Sequence, residues 1–238
     1  MWIAAHPDDE VVIAPLLSYW CQDLHARCTL LVLTRGEGGV CLKAEGCAPD
    51  IATVRSGEAG ASSQYFGADL ILLSLPDGGG SAPPVWSAAE NMRADLVVRI
   101  SSYIRAAAPD LVLTFDPRHG TTCHPDHRAL GAIVLDAVKL QAPEPLVYLL
   151  ESRVTLDASP FAIRFAPAIA DAAVFNANQF LAASQSPAWT AVSDDMRRHA
   201  SQFDAAWINA AESVPPEERA VFIAPARSAL AESIVPCP

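Results

Sequence analysis

Two short clusters of histidine and carboxylate side chains determine the chemistry that this sequence could perform. The first is the hexapeptide at 5–10, AHPDDE, which follows an apolar run long enough for a short strand. The second is the tetrapeptide at 124–127, HPDH, which also follows an apolar run and a loop. Imidazole and carboxylate groups together are typical ligands of a catalytic divalent metal ion. We therefore interpret the two clusters as halves of one site at the ends of two strands.

The first cluster offers two metal ligands and the second offers a third. His6 and Asp9 lie three residues apart in a turn that Pro7 stiffens, and His127 would complete the set from its distant loop. Two imidazoles and one carboxylate, with an open position for water, are expected of catalytic zinc, and Fe2+ is compatible with the same ligands. A cation there would also compensate the acidic side chains that gather at this position.

The remaining polar side chains of the two clusters suit proton transfer. Asp8 is adjacent to Asp9 but must point elsewhere, so it is available as a general base toward a water molecule. His124, as an imidazolium, could donate to the oxyanion that forms at an attacked carbonyl, a contact worth about 3 kcal/mol. Asp126 would orient, or keep charged, a flanking histidine. Residue types and spacing assign no role to Glu10.

The elements that must position these clusters alternate between strands and helices. Apolar runs predict strands at 1–5, 29–34, 69–75, 110–115 and 146–150. Apolar periodicity and capping residues predict helices at 15–24, 50–66, 87–107 and 126–140, the third opened by a capping box from Ser87 to Glu90. This alternation predicts an α/β fold with a mostly parallel sheet, helices on both faces, and a ligand site beyond the carboxyl ends of the strands.

The second half of the chain shows a weaker pattern. Strands are predicted at 161–165 and 172–175, and a helix at 193–212. We expect residues 1–238 to form a single domain, with a core at 1–151 and a C-terminal α/β extension at 152–238 that completes the fold.

Composition excludes several classes of function. The 238 residues are 51% hydrophobic and 18% charged, and they carry a formal net charge of −11 with no basic run that could follow phosphates, so nucleic acid is a poor candidate partner. Apolar stretches fall short of the roughly 18 residues that span a bilayer, so no membrane association is expected. The six cysteines show no CxxC spacing, which favours reduced thiols and a soluble cytoplasmic protein, although Cys41 and Cys47 could pair under oxidation.

The two clusters, in this order and at this separation, resemble the PIG-L/LmbE-like family of metal-dependent N-acetylglucosaminyl deacetylases. Further signatures extend the resemblance over about residues 1–202, and they are TRGEGG at 34–39, Arg55 with Glu58, Asp77 with Gly78, and HASQ at 199–202. The resemblance implies a Rossmann-like sheet with the site at the strand ends, and hydrolysis of an N-acyl group, usually acetyl from an amino sugar. Two departures are Thr122, where some family members place a tyrosine, and the loop at 40–49, which matches no family pattern.

By the same resemblance, individual residues match functional positions of the family. They are the zinc ligands His6, Asp9 and His127, the general base Asp8, the intermediate-stabilising His124, and the sugar-contacting Arg55 and Asp77. The family roles of the first five agree with the roles that residue types and spacing favour. The roles of the last two depend on the resemblance alone.

We therefore expect a zinc-dependent enzyme that removes the acetyl group from an N-acetylglucosamine-like moiety of a small glycoside or glycoconjugate. The partner is then a small-molecule amino sugar, and a homo-oligomer is compatible with the sequence. One alternative is hydrolysis of a non-sugar amide, such as a thiol conjugate or an antibiotic, at the same metal site. Another is a binding protein that captures a glycan without cleaving it.

Simpler interpretations exist for the ancillary residues. Arg55 and Glu58 could form a surface ion pair of small energetic worth. Asp77 with Gly78 could be an ordinary turn. A packed or capping role suits His199 as well as a site role does, and His25 and His119 are expected to be solvated.

Overall fold

A mostly parallel sheet is the centre of the fold in the computed structural model, which describes residues 1–158, 161–234 and 237. The strands are β1 (Trp2–Ala4), β2 (Thr29–Thr34), β3 (Asp69–Leu75), β4 (Leu111–Phe115), β5 (Leu146–Leu150), β6 (Ser152–Ala158), β7 (Phe161–Pro167), β8 (Ala173–Asn176), β9 (Phe180–Leu181), β10 (Ser186–Pro187) and β11 (Ala220–Pro225). Within the described residues, seven of them pair in the order β3-β2-β1-β4-β5-β11-β8. The first five are mutually parallel, and β11 runs antiparallel to both β5 and β8.

Helices connect the parallel strands. The α-helices are α1 (Ala14–Leu17), α2 (Ile51–Phe66), α3 (Glu90–Ala107), α4 (Gly120–Cys123), α5 (Pro125–Val138), α6 (Thr190–Arg198), α7 (Ala205–Glu212) and α8 (Ala226–Ala229). Shorter 3-10 segments occupy Asp9–Ile13, Val85–Ser87 and Pro216–Glu218, and a π-helical segment occupies Ser18–Asp23. Helix α3 packs against α5, whereas α1 and α2 pack against α6. The expected α/β fold with a mostly parallel central sheet is confirmed.

The chain reverses its direction across the sheet next to β1. From β1 the chain proceeds outward through β2 to β3, and then returns to place β4 on the other side of β1. Every residue of β1 and β2 is buried, as continuous apolar runs predict for strands covered on both faces. A crevice opens at such a reversal, beyond the carboxyl ends of the strands, and there parallel α/β sheets bind ligands.

The structure corrects three predicted helices. Ser87 does not cap α3, because it lies in a 3-10 turn and its hydroxyl donates to the carbonyl of Pro84, so α3 begins at Glu90. The segment predicted as a helix at 15–24 continues as a π-helix from Ser18. The helix predicted at 193–212 is broken in two, because the backbone leaves helical geometry at His199 and restarts after Asp204, whose carboxylate caps α7.

The expectation of reduced thiols is wrong. All six cysteines lie in the described part of the chain, and they pair as Cys21–Cys28, Cys41–Cys47 and Cys123–Cys237. Their Cα atoms are 5.8, 6.0 and 5.6 Å apart, within the range that a disulfide requires. The absence of CxxC spacing did not predict the state of the thiols, because turns and tertiary contacts bring these side chains together.

Among the described residues, no helix combines the length and the apolar character that crossing a bilayer requires.

Helix α5 carries the second cluster, and its close approach to β4 depends on a glycine. A Cβ atom added to Gly131 would lie 2.3 Å from the carbonyl oxygen of Phe115 and 3.1 Å from the amide nitrogen of Pro117. Both contacts are backbone atoms, so neither can move aside cheaply. We predict that Gly131→Ala lowers the free energy of unfolding by about 1–3 kcal/mol.

The matched control is Gly60→Ala, also within a helix. An added Cβ at Gly60 would meet no described atom within 4 Å. Because alanine favours helix more than glycine does, this substitution should raise the free energy of unfolding by about 0.5–1 kcal/mol. Urea denaturation measures both, and equal effects at the two positions would contradict the close packing of α5 on β4.

Candidate active site

The two predicted clusters meet at the carboxyl ends of β1 and β4. The hexapeptide at 5–10 follows β1 directly, and the tetrapeptide at 124–127 opens α5 after β4. His127 Nε2 lies 3.3 Å from His6 Nδ1 and 2.9 Å from Asp9 Oδ1. Each of these three residues is 8% exposed. Residues separated by about 120 positions in sequence therefore form one compact cluster.

Hydrogen bonds fix the tautomers of the two histidines. His127 Nδ1 lies 2.9 Å from the carbonyl oxygen of Gly120, which can only accept, so Nδ1 carries the proton and Nε2 presents its lone pair to the cluster. His6 Nε2 lies 3.0 Å from Asp126 Oδ2 and donates to that carboxylate, which leaves Nδ1 facing Asp9 and His127. Carboxylate and carbonyl partners of this kind orient the imidazole ligands of metal ions.

Backbone amides orient the carboxylate of Asp9. Its Oδ2 accepts from the amides of Ala5 at 2.9 Å and His6 at 2.8 Å, which directs Oδ1 toward His127. Nitrogen ligands about 2.05 Å from a tetrahedral zinc are separated by roughly 3.3 Å, which the two imidazole nitrogens match. The donor set of His6, Asp9 and His127 therefore fits a divalent ion in chemistry, tautomer and spacing.

The charges in this cluster shift the pKa values of its members. Without a metal ion, burial opposes a charge on His6, but hydrogen bonds to Asp126 and Asp9 outweigh it and raise the pKa of His6 to about 10, so a metal ion that binds Nδ1 would displace a proton. Burial likewise opposes the charge on Asp9, but His127 and His6 hold the pKa of Asp9 well below its usual range.

Asp8 occupies a constrained position beside the cluster. Its φ angle of 104° is left-handed, a region that non-glycine residues rarely adopt. Its Oδ2 lies 2.9 Å from Arg55 Nη2, and Arg55 Nη1 donates to the carbonyl of Gly36 at 2.9 Å. Burial raises the pKa of Asp8 to about 6, with Arg55 opposing the shift.

Arg55 and Glu58 do not form the surface ion pair considered above. They are 3% and 9% exposed, and they bind different partners. Arg55 holds Asp8, whereas Glu58 accepts from the amide of Ser201 at 2.9 Å and from its hydroxyl at 2.6 Å. Helix α2 thus connects the hexapeptide to the segment that follows α6.

Glu10, which had no assigned role, binds His199. Glu10 Oε1 lies 2.8 Å from His199 Nε2, and Glu10 Oε2 accepts from the amide of Asp8 at 3.2 Å. Glu10 is 1% exposed and His199 is completely buried. Burial opposes both charges, but each partner stabilises the other, so the pKa of Glu10 is lowered and that of His199 is raised to about 9. The signal in the sequence was the otherwise unexplained acid next to Asp9.

His124 differs from its expected protonation. Its Nδ1 accepts from the amide of Asp126 at 3.2 Å, so the remaining nitrogen, Nε2, carries the proton of the neutral ring. Burial, with the neighbouring His127 and His6, lowers the pKa of His124 to about 4. The expected imidazolium is therefore replaced by a neutral imidazole, which still offers one N–H donor at Nε2.

Asp77 connects the loops after β2 and β3. Its Oδ2 accepts from the amide of Gly38 at 3.1 Å, and its Oδ1 accepts from the amide of Gly79 at 2.9 Å and lies 3.9 Å from His6 Nε2. The pairing with Gly38 spans two loops, so it exceeds the local turn chemistry that Asp with Gly can provide. Thr122, at the departure from the family pattern, is exposed.

The cluster faces a cleft of about 340 Å³, near the lower end of the roughly 300–1,000 Å³ typical of small-molecule pockets. Its lining consists of His6, Asp8, Asp9, Gly38, Gly39, Val40, Arg55, Asp77, Gly79, His124, His127 and Gln202. A larger cavity of about 640 Å³, lined by Leu135, Tyr148 and Leu230 among others, contains neither cluster. The placement of the reactive side chains, not the cavity size, identifies the site.

A second buried group of titratable residues is held together by hydrogen bonds and ion pairs among its own members. His119, expected to be solvated, is completely buried, and its Nδ1 accepts from the amide of Thr121 at 3.0 Å. Its Nε2 then donates to Glu151 at 3.1 Å, so neither nitrogen of His119 has a lone pair free for a metal ion. Arg118 pairs with the nearby Asp116. His25 is exposed, as expected.

Comparisons with known proteins agree with this geometry. A family model described as PIG-L, GlcNAc-PI de-N-acetylase, matches residues 1–138. A curated relative, 1D-myo-inositol 2-acetamido-2-deoxy-alpha-D-glucopyranoside deacetylase from Kineococcus radiotolerans, is 29% identical over 163 residues, which cover 60% of this chain and 45% of the relative. The matched part of the chain thus spans less than half of that relative's length.

Solved structures of low sequence identity share the fold. N,N'-diacetylchitobiose deacetylase from Pyrococcus horikoshii has a TM-score of 0.61 at 17% identity, with 89% of this chain and 73% of that chain covered. A deacetylase of the A40926 pseudoaglycone has a TM-score of 0.61 at 18% identity, with 94% and 96% covered. The 4-carboxy-2-hydroxymuconate hydratase from Pseudomonas putida KT2440 has a TM-score of 0.63 at 15% identity, with 93% of each chain covered. The fold therefore hosts more than one reaction, and function must be argued from the site.

The Glu10–His199 pair predicts a pH dependence of stability. The pKa of His199 rises from 6.5 to about 9 on folding, so its charged form stabilises the fold fully below pH 6.5 and loses that contribution as pH rises through 9. Replacement by His199→Gln should therefore cost more at pH 7 than at pH 10. The loss of unfolding free energy caused by His199→Gln should therefore be smaller by roughly 2 kcal/mol at pH 10 than at pH 7.

Denaturant unfolding of both proteins with a chelator present measures this difference. The charged groups that face His199 are Glu10, Asp195 and Asp8, and the pKa of Asp195 is raised by burial to about 7. All three remain in the variant, but without the positive charge of His199 the pKa values of Glu10 and Asp195 rise there, so the comparison with the wild type includes this change. A cost of His199→Gln that stayed constant from pH 7 to pH 10 would contradict a charged His199.

Proposed function

This chain belongs to the PIG-L family of GlcNAc-PI de-N-acetylases, and on that premise we propose that it is a metal-dependent deacetylase of an N-acetylglucosamine-like moiety on a small glycoside or glycoconjugate. The observation that carries the proposal is the convergence of His6 Nδ1, Asp9 Oδ1 and His127 Nε2, with separations of 3.3 and 2.9 Å from His127. The reaction is hydrolysis of the amide, which consumes one water molecule and releases acetate and a free amine.

His6, Asp9 and His127 would hold the divalent ion. Zinc suits two imidazoles and one carboxylate, and Fe2+ is the alternative for the same ligands. Such an ion would supply Lewis acidity, lowering the pKa of a water molecule toward about 7 and polarising the amide carbonyl. Asp126, through its bond to His6 Nε2, acts as the positioning residue for that ligand.

Asp8 is the proposed general base. Its carboxylate takes a proton from the attacking water as the new C–O bond forms at the amide carbon. The same proton then passes to the amide nitrogen as the C–N bond breaks, so the amine leaves neutral, and the acetic acid that forms carries the second proton of the water until it ionises to acetate. Arg55 holds Oδ2 of Asp8, and Glu10 holds its backbone amide, which together fix the direction of the carboxylate at the cleft.

His124 is the proposed donor to the developing oxyanion. The bond from the Asp126 amide to Nδ1 leaves the Nε2 proton available to the carbonyl oxygen of the substrate. The neutral imidazole donates this hydrogen bond to the carbonyl oxygen as negative charge develops there, and it keeps its proton. A contact of this type stabilises the transition state by about 3 kcal/mol.

Arg55 and Asp77 are proposed to contact the sugar. Both line the cleft. The two oxygens of Asp77 each accept one backbone amide, which leaves further lone pairs for sugar hydroxyl donors. Arg55 is already bonded to Asp8 and Gly36, so its main contribution would be to the shape and charge of the cleft.

Metal analysis tests the ligand set. Purified protein should contain about one divalent ion per chain, and His127→Ala should lose it because one of three protein ligands is gone. The matched control is His124→Gln, three residues away, which should retain the ion and lose turnover. Retention of metal by His127→Ala together with its loss from His124→Gln would assign the ligands differently.

Turnover measurements test the general base. We predict that Asp8→Asn keeps its metal but lowers kcat by about 10²–10⁴-fold, because the amide of asparagine cannot accept the proton. Acetate release is measured by mass spectrometry on N-acetylglucosaminides and on simple N-acyl amines. Full turnover by Asp8→Asn would refute the role of Asp8. Cleavage of the amines without the sugars would favour a non-sugar amidase, and an intact sugar complex at saturating zinc would favour a binding protein.

A further inference from the structure

The loop at 40–49 borders the cleft and contributes an apolar surface that the reaction itself does not use. Val40 lines the cleft together with the proposed metal ligands, and it is 73% exposed. Leu42, two residues further on, is 42% exposed. A single exposed apolar residue is ordinary, but these two lie at or next to the edge of a cleft whose floor is polar.

Several contacts hold this loop in place. The carbonyl of Val40 accepts from Gln202 Nε2 at 2.9 Å, and the amide of Leu42 donates to the carbonyl of Ser201 at 2.8 Å. Cys41 lies between Val40 and Leu42, and its disulfide with Cys47 closes the loop. The exposed apolar side chains are thus held at the rim by covalent and backbone constraints, and they cannot easily turn inward to bury themselves.

The size of the cleft indicates what would contact this rim. About 340 Å³ accommodates a small moiety near the metal ligands, so the group attached to the amino sugar must extend beyond the opening. The charged groups near that opening include Glu37, which accepts from the amide of Asp77, and Asp77 itself. Two carboxylates at the edge disfavour an anionic group there, and the exposed side chains of Val40 and Leu42 on the loop side suit a neutral apolar group.

We propose that residues 40–47, closed by the Cys41–Cys47 disulfide, form a subsite for a neutral apolar aglycone, with Val40 as its main contact. This inference rests on the proposed function for the sugar and its N-acetyl group, and adds the chemical class of the group attached to them. The disulfide acts by holding Val40 at the rim before substrate binds, which reduces the ordering that binding would otherwise require.

The test compares hexyl and methyl glycosides of N-acetylglucosamine. For the wild type, kcat/KM should be about tenfold higher with the hexyl glycoside, mainly through KM, because burial of several methylene groups favours the complex. Val40→Ser should reduce this hexyl-to-methyl ratio by about threefold or more. The double variant Cys41→Ser with Cys47→Ser should reduce it similarly, since the rim is then no longer fixed.

Matched controls separate a local effect from general destabilisation. Cys21 and Cys28 form a disulfide of similar sequence separation that does not line the cleft, so replacing both with Ser should leave the ratio unchanged. Val98→Ser removes an equally apolar side chain, 62% exposed on α3, and should also leave the ratio unchanged. A ratio near one in the wild type, or equal losses in the Cys21/Cys28 and Cys41/Cys47 variants, would overturn the subsite.

Binding measurements keep the subsite separable from the reaction. Calorimetry gives the Kd of both glycosides for the wild type and for Val40→Ser, whether or not the amide is cleaved. If neither glycoside is hydrolysed, the proposed function fails, but tighter hexyl binding that Val40→Ser abolishes still supports the subsite. If both are hydrolysed and bind equally well, the function stands and the subsite is refuted.

Discussion

The parallel pairing of β1 with β4 is the constraint on which the site depends. Trp2 lies in register with Leu113, so the two strands end at the same level, and the hydroxyl of Thr114 donates to the carbonyl of Ile3 at 3.1 Å. The chain after β1 and the chain after β4 therefore leave the sheet side by side. Because the strand order reverses here, no further strand of the described part of the chain covers the gap, and the two clusters can share one cleft.

Charge compensation determines how so many carboxylates can occupy that gap. The three acids of the hexapeptide each have a different cationic or imidazole partner: Asp8 binds Arg55 of α2, Asp9 faces His127 of α5, and Glu10 binds His199 after α6. Each partner comes from a different element, so the hexapeptide packs correctly only when all of these elements are in place. A buried acid without such a partner would favour its neutral form and would lose the geometry that catalysis requires.

Local patterns in the sequence were sufficient for the five parallel strands and for the pairing of the clusters, but they missed β11, which continues the sheet in the antiparallel direction. Continuous apolar runs marked the buried strands, and histidine beside aspartate marked the strand ends where a metal would bind. The Glu10–His199 pair could not be predicted, because its members are 189 positions apart and each alone resembles an ordinary buried or capping residue. The break after α6 lies at the same residue, since His199 is the C-cap of that helix. The disulfides Cys21–Cys28 and Cys123–Cys237 were missed for a related reason, since turns and tertiary contacts rather than a spacing rule bring these cysteines together, whereas the pairing of Cys41 with Cys47 was considered.

The second half of the chain contributes to the site rather than merely extending the sheet. The family match ends at residue 138, yet His199, Ser201 and Gln202 lie beyond it and contact the first half at three separate points. His199 supports the turn that holds Asp8, Ser201 binds Glu58 of α2, and Gln202 holds the carbonyl of Val40 at the rim. The proposed catalytic side chains thus come from the family region, while His199, Ser201 and Gln202 support the turn and the rim from outside it. Substrate preference can therefore vary through the loop at 40–49, which Ser201 and Gln202 hold at the rim, while the proposed metal ligands stay unchanged.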